Sequence, residues 1–164
     1  MLRSFDMKEQ FLFKTKISNS FGGELQKGKR KTRRPLDVKR PLHLVLRADV
    51  QEIKSFLRYT SLIEGVLQKY SYKFSVKIYE KAINKNHLHF VIKFSHRLNY
   101  QSFVRAVAGV LAGKLKIRWV LRPFSRIVYW GKDFKKVCQY VYMNFLEANG
   151  IIVYQPRGPR RVPP

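Results

Sequence analysis

Along residues 86–94, NHLHFVIKF, apolar and polar positions alternate with the two-residue period of a strand. One face of that strand carries Leu88, Phe90, Ile92 and Phe94 and reads as seated on a core, while the other carries His87, His89 and Val91. The same period runs through residues 41–48, with Leu42, Leu44 and Leu46 set against His43, Val45 and Arg47. His43 there shares the polar face with the histidine pair or is a surface residue. Asp49 is placed as the N-cap of a helix to about residue 69, striped by Ile53, Phe56, Leu57, Ile63, Val66 and Leu67. Residues 73–83 predict a second strand, which Asn84-Lys85-Asn86 turns back into the histidine strand as a hairpin. Asn99 caps a second helix ending at Gly113, with Phe103, Val104, Val107, Val110 and Leu111 as its stripe. A further strand is expected over residues 125–130, and a last helix over residues 133–149, stopped by Gly150. Strand, helix, two strands, helix and strand in that order predict an α+β fold. Its form is a ferredoxin-like or RRM-like split β-α-β antiparallel sheet with helices on one face, followed by the C-terminal helix.

Charge changes the picture. With 34 Lys and Arg against 10 Asp and Glu, the formal net charge is +24. Such self-repulsion calls for a polyanionic partner. Nucleic acid is favoured over a membrane surface, since no basic amphipathic helix or lipidation signal stands out. Residues 27–40, KGKRKTRRPLDVKR, set eight basic residues against Asp37 and cannot bury themselves. The chain therefore divides into a basic, largely flexible arm (residues 1–40), a catalytic or binding domain (41–153) and a basic, Pro-rich tail (154–164). In residues 116–130 aromatic side chains interleave with cations, a pattern suited to single-stranded nucleic acid, although Trp119 and Trp130 taken singly read better as core. Lys29, Arg30, Lys31, Arg33, Arg34, Arg118, Arg122 and Arg126 are the candidate nucleic-acid contacts. A single cysteine, Cys138, excludes an internal disulfide and a cysteine zinc finger. No signal-peptide pattern and no apolar run of spanning length is present, so the expectation is a cytoplasmic, nucleoid-associated protein.

The chemistry lies in two places. His87 and His89, about 6.5–7 Å apart at the backbone on one side of a strand, can converge on a divalent ion. Two half-exposed polar residues on an open sheet face are the plainer alternative. In the last helix Phe134, Val137, Cys138, Val141 and Phe145 share an apolar arc, and Tyr140 and Asn144 sit one turn apart at its border. Tyr142 falls on the other border, and the residue four positions on is Leu146, which cannot ligate a metal.

Asn86-His87-Leu88-His89 in a strand, with Tyr140 to Asn144 in a late helix, resembles the single-tyrosine HUH transposases. These include the small insertion-sequence transposases and the REP-associated tyrosine transposases, and the resemblance spans roughly residues 41–150. It implies that His87, His89 and Asn144 are metal ligands for Mg²⁺ or Mn²⁺ and that Tyr140 is the catalytic nucleophile, making residues 133–149 a catalytic helix. The implied activity is cleavage and rejoining of single-stranded DNA, hairpin-forming in such systems, through a 5′-phosphotyrosine intermediate, with a homodimer as a possible assembly. A domesticated member acting on genomic repeats and a non-catalytic single-stranded nucleic-acid-binding module are the alternative readings.

Overall fold

A computed structural model describes residues 19–30, 32–49 and 55–153. Within them five strands form one antiparallel sheet: Ser20–Phe21 (β1), Leu42–Arg47 (β2), Val76–Ile83 (β3), His87–Phe94 (β4) and Phe124–Ile127 (β5). Their spatial order is β1-β5-β2-β4-β3. Helices Thr60–Lys73 (α1) and Arg97–Leu115 (α2) pack with the core face of the sheet, and Lys132–Ala148 (α3) packs on β3 and β4 from the other side.

The two faces follow from side-chain alternation. Leu42, Leu44 and Leu46 of β2 and Leu88, Phe90, Ile92 and Phe94 of β4 enter one buried cluster with Ile63 and Leu67 of α1 and Phe103, Val107 and Leu111 of α2. Each such side chain contributes about 1.5–3 kcal/mol by leaving water, which makes this cluster the main source of stability. The opposite face holds a smaller cluster, Ala82, Val91, Val128, Val137 and Val141, with Tyr79, Phe134 and Cys138 at its margin.

A β-bulge in β3 changes which of its residues face each cluster. Ile78 pairs with Ile92 and Glu80 with Val91, so one extra residue lies between them and the facing pattern shifts by one. Beyond it Lys81 turns to α1, where it pairs with Glu64 at 2.7 Å, and Ala82, opposite His89, turns to α3. A simple two-residue period would have placed Ala82 with Val76 and Ile78.

Several boundaries differ from those the sequence predicts. At the expected helix start the Asp49 N–H donates to the Arg118 carbonyl at 3.0 Å, and Ala48 makes a β-bridge to Trp119, so the chain is still extended up to that point. Residues 50–54, including Ile53, lie outside the described residues. A 3₁₀ turn, Phe56–Tyr59, follows with the Ser55 hydroxyl accepting from the Leu57 N–H at 3.2 Å, and α1 begins only at Thr60. The next helix starts at Arg97 rather than beside Asn99 and passes through Gly113, since the turn that ends it is made by Lys116 at φ 55°. The last strand stops at Ile127, after which the Val128 N–H donates to the Pro41 carbonyl at 2.9 Å.

The N-terminal region contributes to the sheet. β1 adds an edge strand beside β5, pairing Ser20 with Arg126 and Phe21 with Ser125. Gly22, at φ 83°, makes this possible, because a Cβ there would lie 2.0 Å from the Pro123 carbonyl oxygen. From the basic run expected to be a free arm, Arg34 folds in. Its guanidinium donates to the Ser125 hydroxyl and, at 2.7 Å, to the Pro123 carbonyl, and lies 4.5 Å from the Phe21 ring centroid. Among the described residues no helix is long and apolar enough to cross a membrane.

Candidate active site

β4 presents its histidines on the face away from the main core, toward α3. The His87 and His89 rings meet edge to face with centroids 4.8 Å apart. The hairpin turn holds His87 at both ends: Nδ1 lies 2.9 Å from Asn86 Oδ1, and Nε2 lies 2.8 Å from Asn84 Nδ2. Asn86 Oδ1 can only accept, so the proton is on Nδ1 and the Nε2 lone pair accepts from the Asn84 amide. Burial, and then the Arg47 guanidinium, lower the His87 pKa and favour the neutral ring, whose Nε2 lone pair the Asn84 amide holds. His89 is buried, and its Nδ1 lies 3.2 Å from Nε2 of His43 on the adjoining strand. Burial, helped by Arg126, lowers His43 to about 4 and keeps it neutral.

Tyr140 comes to this face from α3. Its ring lies edge-on to His89 and to His43, with centroids 5.8 and 5.9 Å away, and the side chain remains 37% exposed. Val137, Val141 and Asn144 are the buried residues of α3, spaced by four and three. The expected arc is therefore rotated: Phe145, placed there by the sequence, is 38% exposed, and Asn144 takes the inward position at 7%. The Asn144 Nδ2 donates to the Tyr140 carbonyl at 2.6 Å, leaving Oδ1 as the amide's acceptor atom. Tyr142 points elsewhere, stacked on Phe145 beside a groove that Leu57 and Thr60 also line. A cleft of about 610 Å³ opens over His43, His89 and Tyr140, with Arg47, Arg122 and Phe124 on its walls.

Imidazole nitrogens and an amide oxygen are donors that divalent ions accept, and hard ions such as Mg²⁺ or Mn²⁺ suit the oxygen together with phosphate oxygens. No group of three or more His, Cys, Asp or Glu that would hold a metal occurs among the described residues.

The basic candidates sort into several situations. Arg122 is exposed on the cleft wall, and Arg118 is exposed near the start of the loop that leads to it. Arg126 also lines the cleft but is tied to Asp133 in the first turn of α3 by two bonds, 2.8 and 3.3 Å. Burial opposes ionisation of Asp133, yet the bonds from Arg126 and from the Tyr129 N–H outweigh it and lower its pKa. Lys29, Arg30 and Arg33 are exposed, Lys31 lies outside the described residues, and Arg34 is half-buried in the fold as above. Trp119 is a core residue, packed on Phe56 with its Nε1 donating to the Ala108 carbonyl at 3.0 Å. Trp130 is half exposed and donates to the Lys39 carbonyl at 3.0 Å.

Sequence reasoning passed over Arg47 and Asn84. Arg47 shares the polar alternation of β2 with His43 and pairs with His87 in register, a signal that a strand alignment would have supplied. Asn84 carries no sequence signal beyond that of a turn residue.

The family described as "Transposase IS200 like" matches residues 41–135. Among solved structures, that of a REP-associated tyrosine transposase bound to a REP hairpin superposes with a TM-score of 0.59 at 12% identity, covering 75% of this chain and 76% of that one. A crystal structure of a Deinococcus radiodurans R1 protein described as a transposase gives a TM-score of 0.46 at 11% identity, covering 70% of this chain and 98% of that one. A search of curated proteins found no match.

Proposed function

We propose, from the premise that this chain belongs to the IS200-like transposase family, that it cuts and rejoins single-stranded DNA by transesterification at Tyr140. His87 and His89 with Asn144 would hold a divalent ion, Mg²⁺ or Mn²⁺. The observation that carries the reading is the position of Tyr140, whose partly exposed ring lies 5.8 Å from that of His89 within one cleft. Helix spacing alone did not require that.

The phenol oxygen attacks the scissile phosphorus. A Tyr140 O–P bond forms, the P–O3′ bond breaks, the phenol proton leaves to solvent or a neutral imidazole, and the departing 3′ oxygen takes up a proton. The products are a 5′-phosphotyrosine and a 3′-OH, and attack by a 3′-OH reverses the step without ATP. A divalent ion held there supplies Lewis-acid polarisation of the phosphate. Tyr140 is fixed by its helix, because Val137 and Val141 anchor α3 to β3 and β4. Arg47 and Arg122 offer the phosphate oxygens positive charge from the cleft walls. The substrate class is structured single-stranded DNA, as with the hairpin bound by the structural neighbour. Residues 41–153 carry this activity, and the exposed cations of the preceding basic run track the DNA backbone.

The test is incubation with a pool of structured single-stranded oligonucleotides and Mg²⁺ or Mn²⁺, followed by denaturing electrophoresis. A covalent protein–DNA adduct is expected, lost in Tyr140→Phe and kept in Tyr142→Phe. An adduct that survives Tyr140→Phe overturns the assignment.

A further inference from the structure

His43 is a buried polar residue on β2, and the bond from its Nε2 to His89 Nδ1, 3.2 Å long, crosses between two hydrogen-bonded strands. The two rings stack at 5.4 Å with only 12° between their planes. Two neutral imidazoles that share a hydrogen bond hold one proton between them, so the ring that donates fixes the tautomer of both. His87 supplies the comparison. Its Nδ1 is likewise engaged by a neighbouring acceptor, Asn86 Oδ1 at 2.9 Å, so its lone pair is on Nε2, which meets the Asn84 amide at 2.8 Å and would exchange that bond for an ion.

We propose that His43 is a positioning residue: it accepts the Nδ1–H of His89, so that His89, like His87, presents Nε2 to the ion. This rests on the metal-dependent reading above. The physical reason is that metal-bound imidazoles are oriented and made more basic by an acceptor on the other nitrogen. Here the acceptor is itself a histidine, held rigidly by the β2–β4 ladder that pairs His43 with Val91 and Val45 with His89. His43 does not touch the phosphate in this scheme. It acts through His89.

The test has two independent readouts on the full chain. Side-chain ¹⁵N NMR at neutral pH, without metal, is expected to show His89 protonated at Nδ1 in the wild type and shifted toward the other tautomer in His43→Leu. Titration with Mn²⁺ alone, followed by calorimetry, is expected to show affinity falling about 10–100-fold in His43→Leu and recovering in His43→Gln, whose amide oxygen can again accept. His89 found protonated at Nε2 in the folded wild type overturns the proposal, as does a His43→Leu protein with unchanged tautomer and Mn²⁺ affinity. If the wild type binds no Mn²⁺, the metal-dependent reading fails by that result alone, and the NMR still decides the tautomer. Should His43→Leu not fold, the wild-type spectrum together with His43→Gln carries the decision.

Discussion

Arg34 and Arg33 stand side by side in the sequence and do different work. Arg33 is exposed, whereas Arg34 spans from the coil to Ser125 and Pro123, and burial lowers its pKa. Arg34→Gln is expected to strip the donor from the buried Ser125 hydroxyl and lower the unfolding free energy by about 1–3 kcal/mol. Arg33→Gln is expected to leave it unchanged, and urea denaturation of the two variants separates them. His43 gives a pH dependence of definite sign. Its folded pKa of about 4 lies below the usual 6.5, so as pH falls the unfolded chain takes the proton first. Stability contributed by the neutral buried ring is fully present above pH 6.5, declines toward pH 4 and levels off below it, a total of about 3 kcal/mol. The urea midpoint should therefore drop less between pH 7 and 4.5 in His43→Gln than in the wild type.

Elements differ in how firmly they are held. The main cluster is continuous from β2 and β4 to α1 and α2, so Phe103→Ala is expected to cost about 3–5 kcal/mol and to loosen all of them together in thermal unfolding. α3 rests on the smaller cluster, and Val141 is its fully buried centre. Val141→Asp is expected to release α3 and abolish adduct formation while circular dichroism and hydrogen exchange show α1 and α2 retained. Survival of the adduct would mean that Tyr140 reaches the site by another route. At the sheet edge, Gly22→Ala meets the Pro123 carbonyl at a distance no Cβ tolerates, in a backbone region glycine favours. Faster amide exchange confined to residues 20–23 and 122–126 is the expected result.

For the whole molecule the governing quantity is the net charge of +24. If about six phosphates of a single strand are neutralised, log affinity should fall against log salt with a slope near −4, and removing Lys29 and Arg33 together should reduce it by about 1.4. Replacing Arg34 should not change the slope, since its charge is used internally. The sequence by itself determined the element types and the two faces of β4, because alternation with a period of two leaves the apolar row no other place than a core. It also determined the polyanionic class of partner, because charge sums do not depend on folding. It did not show that α1 begins at Thr60 after a 3₁₀ turn, nor that the Asp49 N–H is taken by Arg118 from a distant loop. Nor did it place Ala82, because a bulge is an insertion in pairing rather than in composition. That Arg34 is structural, that Asn144 rather than Phe145 turns inward, and that His43, His89 and Tyr140 meet were decided only by tertiary structure. Each depends on which residues of other elements arrive at the same point, and neighbours in space leave no period along the chain.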